Sequence, residues 1–223
     1  MVENNKLLVL RLEGILQSWG ENAKWDFRDT STMPTKSGII GLLGCALGEP
    51  RNSPELPHLA QEVTVAVRAD RSGVKFTDYQ TIQGNPLLTA EGKKRTEDTI
   101  VSPHSYLQDA CFTVFIKAPA SRLCSLQSAL SEPKWCLYLG RKNCVPTRPI
   151  FECITDDYES LLDAVFKYPA APRADKEMVF ECEESYEEAP FRFLRSDNLV
   201  AQNRQFSSRK VWRGVVKGGT RCI

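Results

Sequence analysis

The order of apolar segments along the chain is the feature that most constrains its fold. Runs with the alternation or β-branched content of strands are separated by two longer runs typical of helices. In chain order they predict strands at residues 6–12, 62–68, 110–117 and 135–139, and helices at residues 34–47 and 121–130. The order strand, helix, strand, strand, helix, strand is that of the split βαβ, or ferredoxin-like, unit.

A long insertion separates the second and third predicted strands. It spans about residues 71–109, and loops of this length in compact domains are usually functional. Residues 75–83 read as a strand and residues 97–107 return, so we expect a projecting β-arm, or thumb, with a basic tip. The alternative is a disordered loop. The basic residues of the tip are Lys93, Lys94 and Arg95.

The residues beyond 150 form a second predicted region. They contain a predicted helix at 157–167 and predicted strands near 178–182 and at 206–216. The sequence therefore favours an α+β chain with two domains. Residues 1–150 would form a ferredoxin-like (RRM-like) domain that carries the thumb, and residues 151–223 a small β-rich C-terminal domain.

The net charge of +1 conceals an uneven distribution of charge. Residues 1–151 hold 18 basic and 15 acidic residues, residues 152–191 hold 3 and 12, and residues 192–223 hold 8 and 1. The total excludes a uniformly basic nucleic-acid coat protein. A basic stretch beside an acidic one indicates either a polyanion bound at one surface or pairing of the two stretches with each other.

The first predicted helix contains three glycines, and Gly48 is the predicted end of the helix. Gly38, Gly41 and Gly44 are each three residues apart, and each costs about 1 kcal/mol relative to alanine in a helix interior. Something must therefore approach the helix closely, and tight packing on the sheet would explain it. The helix is also too short and too rich in glycine to cross a bilayer.

The start of that helix is a candidate anion site. Thr35, Lys36 and Ser37 surround exposed N–H groups at the positive end of the helix dipole, where a phosphate is physically reasonable. A P-loop is excluded because Thr30 and Thr35 stand where that motif needs glycine. No glycine-rich dinucleotide fingerprint follows a strand, so we expect no cofactor.

The cysteines and histidines argue against a metal site. The chain has eight cysteines but no C-x-x-C pair, and its two histidines are His58 and His104. We expect reduced thiols packed as small hydrophobes, as Cys111 and Cys124 inside apolar patterns indicate. Since no secretory signal is visible, we expect a cytoplasmic protein.

His104 is the one candidate for acid–base catalysis. It lies in the arm near Ser102 and Tyr106, with Lys93 and Lys94 at the tip, a set compatible with metal-independent RNA cleavage. Nothing in the spacing fixes such a site, and the alternative is a solvated or hydrogen-bonded histidine.

Three segments closely resemble the CasD family of type I-E Cascade, the CRISPR surveillance complex. They are residues 7–20 (LLVLRLEGILQSWG), 28–48 (RDTSTMPTKSGIIGLLGCALG) and 137–150 (LYLGRKNCVPTRPI). The resemblance spans essentially the whole chain, including the arm. The family pattern has proline where this chain has Ile15, a difference that affects no candidate site residue.

The resemblance implies a non-catalytic subunit that holds the 5′ handle of the CRISPR RNA (crRNA) at one end of the complex. It implies a position between the terminal backbone subunit and the large subunit, close to target DNA, with the thumb crossing the guide. We expect no membrane partner, since no apolar run is long enough to span a bilayer. In type I-C relatives the corresponding subunit cleaves the repeat RNA, so an endoribonuclease remains the alternative.

The motifs that carry the resemblance also supply candidate RNA contacts. Phosphate donors and stacking planes are what a single-stranded handle requires. For Trp19, the alternative to stacking is a core position. The candidate RNA-binding residues are Gln17, Ser18, Trp19, Arg28, Thr35, Lys36, Ser37, Arg141 and Lys142, and those of the thumb are Lys93, Lys94, Arg95, His104 and Tyr106.

Overall fold

The computed structural model describes residues 6–21, 27–89, 91–96, 98–201, 203 and 205–217. The helices are α1 (Lys36–Leu47), α2 (Glu55–Glu62), α3 (Ala120–Ser131) and α4 (Leu161–Lys167). The strands are β1 (Leu7–Glu13), β2 (Leu16–Gln17), β3 (Thr64–Arg71), β4 (Val74–Gln83), β5 (Thr99–Gln108), β6 (Cys111–Lys117), β7 (Phe151–Thr155), β8 (Glu177–Cys182), β9 (Phe191–Ala201) and β10 (Gln205–Lys217).

The fold is mixed α/β and is built on two antiparallel sheets. Seven strands form one sheet in the order β7-β1-β6-β3-β8-β10-β9, and three form a second in the order β2-β5-β4. The larger sheet thus contains strands from both sides of residue 150. The division into domains at that residue stays a prediction.

Strand β1 lies between β7 and β6 in the larger sheet, and its two faces belong to two cores. Leu8 and Leu10 point towards α1 and α3, whereas Leu7 and Val9 point towards α4. Because both faces are covered, nearly every residue of the strand is buried and the sequence reads as a continuous apolar run. Arg11 is buried within this run and forms an ion pair with Asp70.

Most of the predicted elements are confirmed. Strand β1, helix α1, strand β6 and the two strands of the arm all lie within a few residues of their predicted positions. Thr35 caps α1 through its side chain, and Gly48 ends the helix in the left-handed conformation, with φ of 77°. Strands β8 and β10 also correspond to predicted segments.

The predicted strand at residues 135–139 is wrong. This segment is tied to other loops instead, because the Lys134 N–H donates to Ala46 O at 3.0 Å and the Leu139 N–H donates to Cys144 O at 2.8 Å. The strand that pairs with the other side of β1 is β7, which begins at Phe151, beyond the predicted segment. The apolar content of residues 135–139 suggested a buried strand, but Trp135 is 47% exposed.

The remaining differences are smaller. Helix α3 begins after Pro119, one residue before its predicted start, and has no side-chain cap. Helix α4 begins only after Ser160, which caps it. Strands β2 and β9 and helix α2 were not predicted. Strand β2 has only two residues. Strand β9 pairs in antiparallel fashion with β10.

The acidic and basic stretches do pair with each other. Arg195 and Arg213 both form ion pairs with Glu181, and Arg209 forms one with Glu183 at 3.3 Å. This confirms that alternative for these arginines and explains how a buried guanidinium such as that of Arg195 is tolerated.

Every cysteine described is a free thiol. Cys111 is buried, as its apolar surroundings predict, and burial raises the pKa of its thiol to about 11. Cys124 is exposed, so the burial that its apolar neighbours predicted is wrong. Cys222 and residues 22–26 lie outside the described residues. No described helix is long and apolar enough to span a bilayer.

Candidate nucleic-acid interface

The positive end of α1 is occupied from within the protein. The backbone N–H of Lys36 donates to the carboxylate of Asp197 at 2.7 Å. The Lys36 ammonium donates to Val63 O at 2.9 Å and to Glu183 at 3.1 Å, and the residue is 5% exposed. Thr35 is also buried. Phosphate binding by Lys36 or Thr35 stays a prediction, and it would require these bonds to open.

The glycines of α1 serve different purposes. A Cβ on Gly38 would lie 2.9 Å from Cε3 of the Trp19 ring, and a Cβ on Gly44 would overlap the side chain of Leu56 from α2. Gly41 faces open space, with no atom within 4 Å of an added Cβ. Close packing therefore explains two of the three glycines.

Gln17, Ser18 and Trp19 form a buried support beside α1. The Gln17 amide donates to Leu12 O and Ala110 O, and its oxygen accepts from the Trp19 indole N–H at 3.2 Å. With Trp19 1% exposed, the core position is the one the structure favours, and the burial of all three leaves no surface for RNA in this conformation.

The turn after Tyr138 is docked on this support. Gly140 has φ of 90°, and a Cβ there would overlap the carbonyl oxygen of Ser18. Only glycine can hold this close backbone approach. Since Arg141 and Lys142 follow directly, Gly140 determines where these two basic side chains lie.

Arg141 joins the turn to the base of the arm. Its guanidinium donates to the carbonyl oxygens of Ser105 at 3.2 Å and Arg28 at 2.9 Å, and it lies over the Tyr106 ring at 4.7 Å. The Tyr106 hydroxyl accepts from the Asn143 amide at 2.9 Å. Some of the N–H donors of Arg141 are therefore already used within the protein, where they hold the Arg28 backbone in place.

Arg28 and His104 are neighbours on the strand β5 edge. The Arg28 N–H donates to Pro103 O at 2.9 Å, and Arg28 O accepts from the Ser105 N–H at 2.8 Å. This leaves the Arg28 side chain exposed beside the partly buried imidazole of His104. Lys75 is a further basic residue close to Arg28, because its ammonium forms an ion pair with Asp29 at 2.8 Å.

The protonation of His104 reflects this environment. Burial, followed by the charges of Arg141 and Arg28, lowers the pKa of His104, while Asp78 opposite it acts the other way. The imidazole Nε2 shares a hydrogen bond of 3.1 Å with Ser102. The ring is therefore neutral near pH 7, and an approaching phosphate would favour its protonation.

These residues define one surface, which we call the arm-base surface. It lies where the arm joins the fold and combines the exposed cations of Arg28, Lys75 and Lys142 with the partly exposed Arg141 and the His104 ring. Its residues are Arg28, Lys75, His104, Arg141 and Lys142.

Two groups of predicted residues lie away from the arm-base surface. Ser37 is partly exposed on α1. The tip residues Lys93, Lys94 and Arg95 are exposed, and five residue steps separate His104 from the end of β5 at Thr99. At about 3.3 Å per residue the tip is therefore some 17 Å or more beyond the arm base.

Lys75 and Asn143 were not among the predicted site residues. Lys75 lies in a strand of the arm that was predicted, so its position on the arm could be inferred from the sequence. Its proximity to Asp29 could not. Within the described residues, no group of three or more His, Cys, Asp or Glu side chains is close enough to hold a metal ion.

Comparisons with known proteins agree on one family. A family model described as CRISPR-associated protein (Cas_Cas5) matches residues 7–221. The chain is 33% identical to "CRISPR system Cascade subunit CasD" of Escherichia coli (strain K12), over 95% of this chain and 96% of that protein. Among solved structures it resembles a chain of a "CRISPR RNA-guided surveillance complex", with a TM-score of 0.75, 30% identity and coverage of 96% and 95%. It also resembles a structure described as "Crystal structure of Cas protein", with a TM-score of 0.70, 30% identity and 95% coverage of both chains.

Proposed function

The chain belongs to the CRISPR-associated Cas5 family, and we propose that it is the non-catalytic, crRNA-binding subunit of a type I-E Cascade complex in CRISPR antiviral defence. It would hold the 5′ handle of the crRNA and cap one end of the backbone filament. The observation that carries this proposal is the 33% identity to a CasD subunit over nearly the full length of both chains.

We propose the arm-base surface as the main RNA contact. Arg28 and Lys142 are exposed and would bind phosphates, and Arg141 would present its remaining N–H groups beside them. His104 would add a charge once a phosphate neighbours it. Gln17, Ser18 and Trp19 would act as supports that hold this surface rather than as contacts.

We also propose that the N-terminal part is ferredoxin-like, with the β4–β5 hairpin as its inserted thumb. The support is the strand order β7-β1-β6-β3 around α1 and α3, together with ten consecutive antiparallel pairs between β4 and β5. The tip residues Lys93, Lys94 and Arg95 would then reach RNA or a neighbouring subunit beyond the arm base. The C-terminal strands β8, β10 and β9 would extend the same sheet.

The proposed partners follow from membership of such a complex. A cap at the filament end would contact the terminal backbone subunit on one side and the large subunit on the other, with target DNA nearby. The contact between α1 and β9 would remain intact in that assembly, because the hydrogen bond from the Lys36 N–H to Asp197 and the Asp197–Arg209 ion pair are internal to this chain.

The test is crRNA retention by the reconstituted complex. Replacing Arg28 and Lys142 with alanine removes two phosphate contacts, so the dependence of binding on salt should weaken by about 0.7 in log–log slope for each. Lys167→Ala is the matched control, since Lys167 is an exposed lysine on α4 whose charge is already paired with Asp163. Unchanged retention and an unchanged slope in the double variant would contradict the assignment of the surface.

One observation keeps the endoribonuclease alternative open. His104 is neutral near pH 7 and stands beside two arginines, an arrangement that a metal-independent RNA-cleaving site would also use. Purified chain and repeat RNA should be incubated with a chelator. We expect no cleavage; specific cleavage that disappears in His104→Ala would replace the first proposal with this one.

A further inference from the structure

The basic C-terminal stretch is divided between the two faces of the β9–β10 pair. On one face, Arg195 lies opposite Arg209, and Arg213 lies opposite Phe191. Arg195 and Arg213 bind Glu181, and Arg209 binds Asp197 at 2.6 Å. The cations on this face are therefore neutralised within the protein.

The other face presents cations in a different setting. Lys210 lies directly opposite Leu194, and Trp212 lies opposite Arg192. Arg192 and Lys210 are exposed, and Trp212 is partly exposed. We call this the basic sheet face; its residues are Arg192, Leu194, Ser196, Ser208, Lys210 and Trp212.

The cations of the basic sheet face are not neutralised. Within the part of the chain that the structure describes, neither Arg192 nor Lys210 forms an ion pair with a carboxylate. The two are diagonal neighbours across the strand pair, so their Cα atoms are about 7–8 Å apart. Their charges must be balanced by solvent ions or by an anionic partner.

The other side chains of this face narrow the choice of partner. The hydroxyls of Ser196 and Ser208 share a hydrogen bond of 2.9 Å at the surface, and Leu194 is 66% exposed. Lysine is depleted in the cores of protein interfaces, whereas lysine, arginine and serine are common phosphate contacts. A basic track beside an aromatic ring is the arrangement used to bind single-stranded nucleic acid.

We propose that the basic sheet face binds single-stranded nucleic acid, as a second contact separate from the arm-base surface. Arg192 and Lys210 bind successive phosphates, and the serine hydroxyls donate to phosphate or sugar oxygens. The exposed part of the Trp212 indole stacks with a base. Because direct base reading is absent, binding tolerates any sequence, and the proposal holds whether or not the arm base grips the crRNA handle.

The test uses the full chain and fluorescence anisotropy with labelled oligouridine RNA and oligothymidine DNA of about 15 nucleotides. The measurement is made in an Arg28→Gln/Lys142→Gln background, which removes the arm-base contribution. Adding Arg192→Gln and Lys210→Gln should lower the log–log salt slope by about 1.4, which is 0.7 for each phosphate released. An unchanged slope overturns the proposal.

The matched control is Lys167→Gln. Lys167 is an exposed lysine on α4 whose charge is already paired with Asp163, so its removal should leave the slope unchanged. A fall in slope equal to that of the double variant would show a general charge effect and overturn the proposal.

A second measurement locates the contact. Photo-crosslinking with 4-thiouridine RNA should label the peptide that contains Trp212, and Trp212→Leu should weaken binding at least about fivefold. Thermal unfolding verifies that the variant folds. Crosslinks confined to other peptides would overturn the proposal, as would variants that lose neighbouring protein subunits but keep their nucleic-acid affinity.

Discussion

The carboxylate of Asp197 on β9 accepts a hydrogen bond of 2.7 Å from the backbone N–H of Lys36, at the first residue of α1. A candidate phosphate position is thus filled by an anion of the protein itself. The same carboxylate accepts from Arg209 at 2.6 Å and 2.9 Å. Asp197 therefore satisfies the first N–H group of α1 and neutralises Arg209 on β10. These bonds fix β9 and β10 against α1.

Removing this carboxylate should destabilise the protein strongly. Asp197→Ala leaves both the α1 end and the Arg209 guanidinium short of a partner, and breaking a buried pair in this way costs about 3 kcal/mol. Urea denaturation measures the loss of unfolding free energy. Asp197→Asn keeps a neutral acceptor and should lose less; equal stability of all three proteins would contradict this account.

The glycines of α1 should respond in opposite directions to alanine. Gly41→Ala meets no neighbour and should stabilise the helix by about 0.5–1 kcal/mol. Gly38→Ala would press on the Trp19 ring and on Thr35 Oγ1, at 2.9 Å and 3.0 Å, and should destabilise it. Thermal unfolding compares the two variants, and a common direction of change would refute the packing described for Gly38.

Gly140 should tolerate no side chain. Gly140→Ala combines strain from the positive φ with an overlap on Ser18 O, so it should cost at least about 2 kcal/mol. Gly92→Ala is the control, since Gly92 has φ of 79° with open space around it and suffers the strain alone. The unfolding free energy should fall clearly further for Gly140→Ala; losses of the same size would count against the close approach.

His104 should make stability depend on pH. Its pKa in the folded protein lies below the ordinary value of 6.5, so the unfolded chain binds the proton more readily. The contribution of His104 is fully present above pH 6.5 and is lost as pH falls through the folded-state pKa. Denaturation at pH 7.5 and at lower pH should show a larger loss for the wild type than for His104→Gln. Parallel curves would show that His104 does not carry the effect.

Much of the fold was predictable because local patterns specify it. The alternation of the strands, the cap at Thr35 and the stop at Gly48 are short-range effects that act within a few residues. The failed strand at residues 135–139 shows the limit of such patterns. The free side of β1 is paired by β7 instead, and local apolar content does not specify such a long-range pairing.

The candidate site was less predictable than the fold. The motifs pointed to the regions around Trp19, Arg28, Lys36 and Arg141, but residue type did not reveal which of these side chains are exposed. Arg28 and Lys142 face solvent, whereas Lys36 is enclosed by Val63, Glu183 and Asp197 from distant parts of the chain.

Most of the strands and helices, the arm with its basic tip, and the family could be read from the sequence, because they depend on neighbours along the chain. Which charges remain available depends instead on contacts between distant parts of the chain. Asp197 and Glu183 neutralise the start of α1, and Glu181 neutralises two arginines, while Arg192 and Lys210 face the opposite side of the same strands. A charge count sums all of these residues, whereas binding depends on the few that the fold leaves unpaired at the surface.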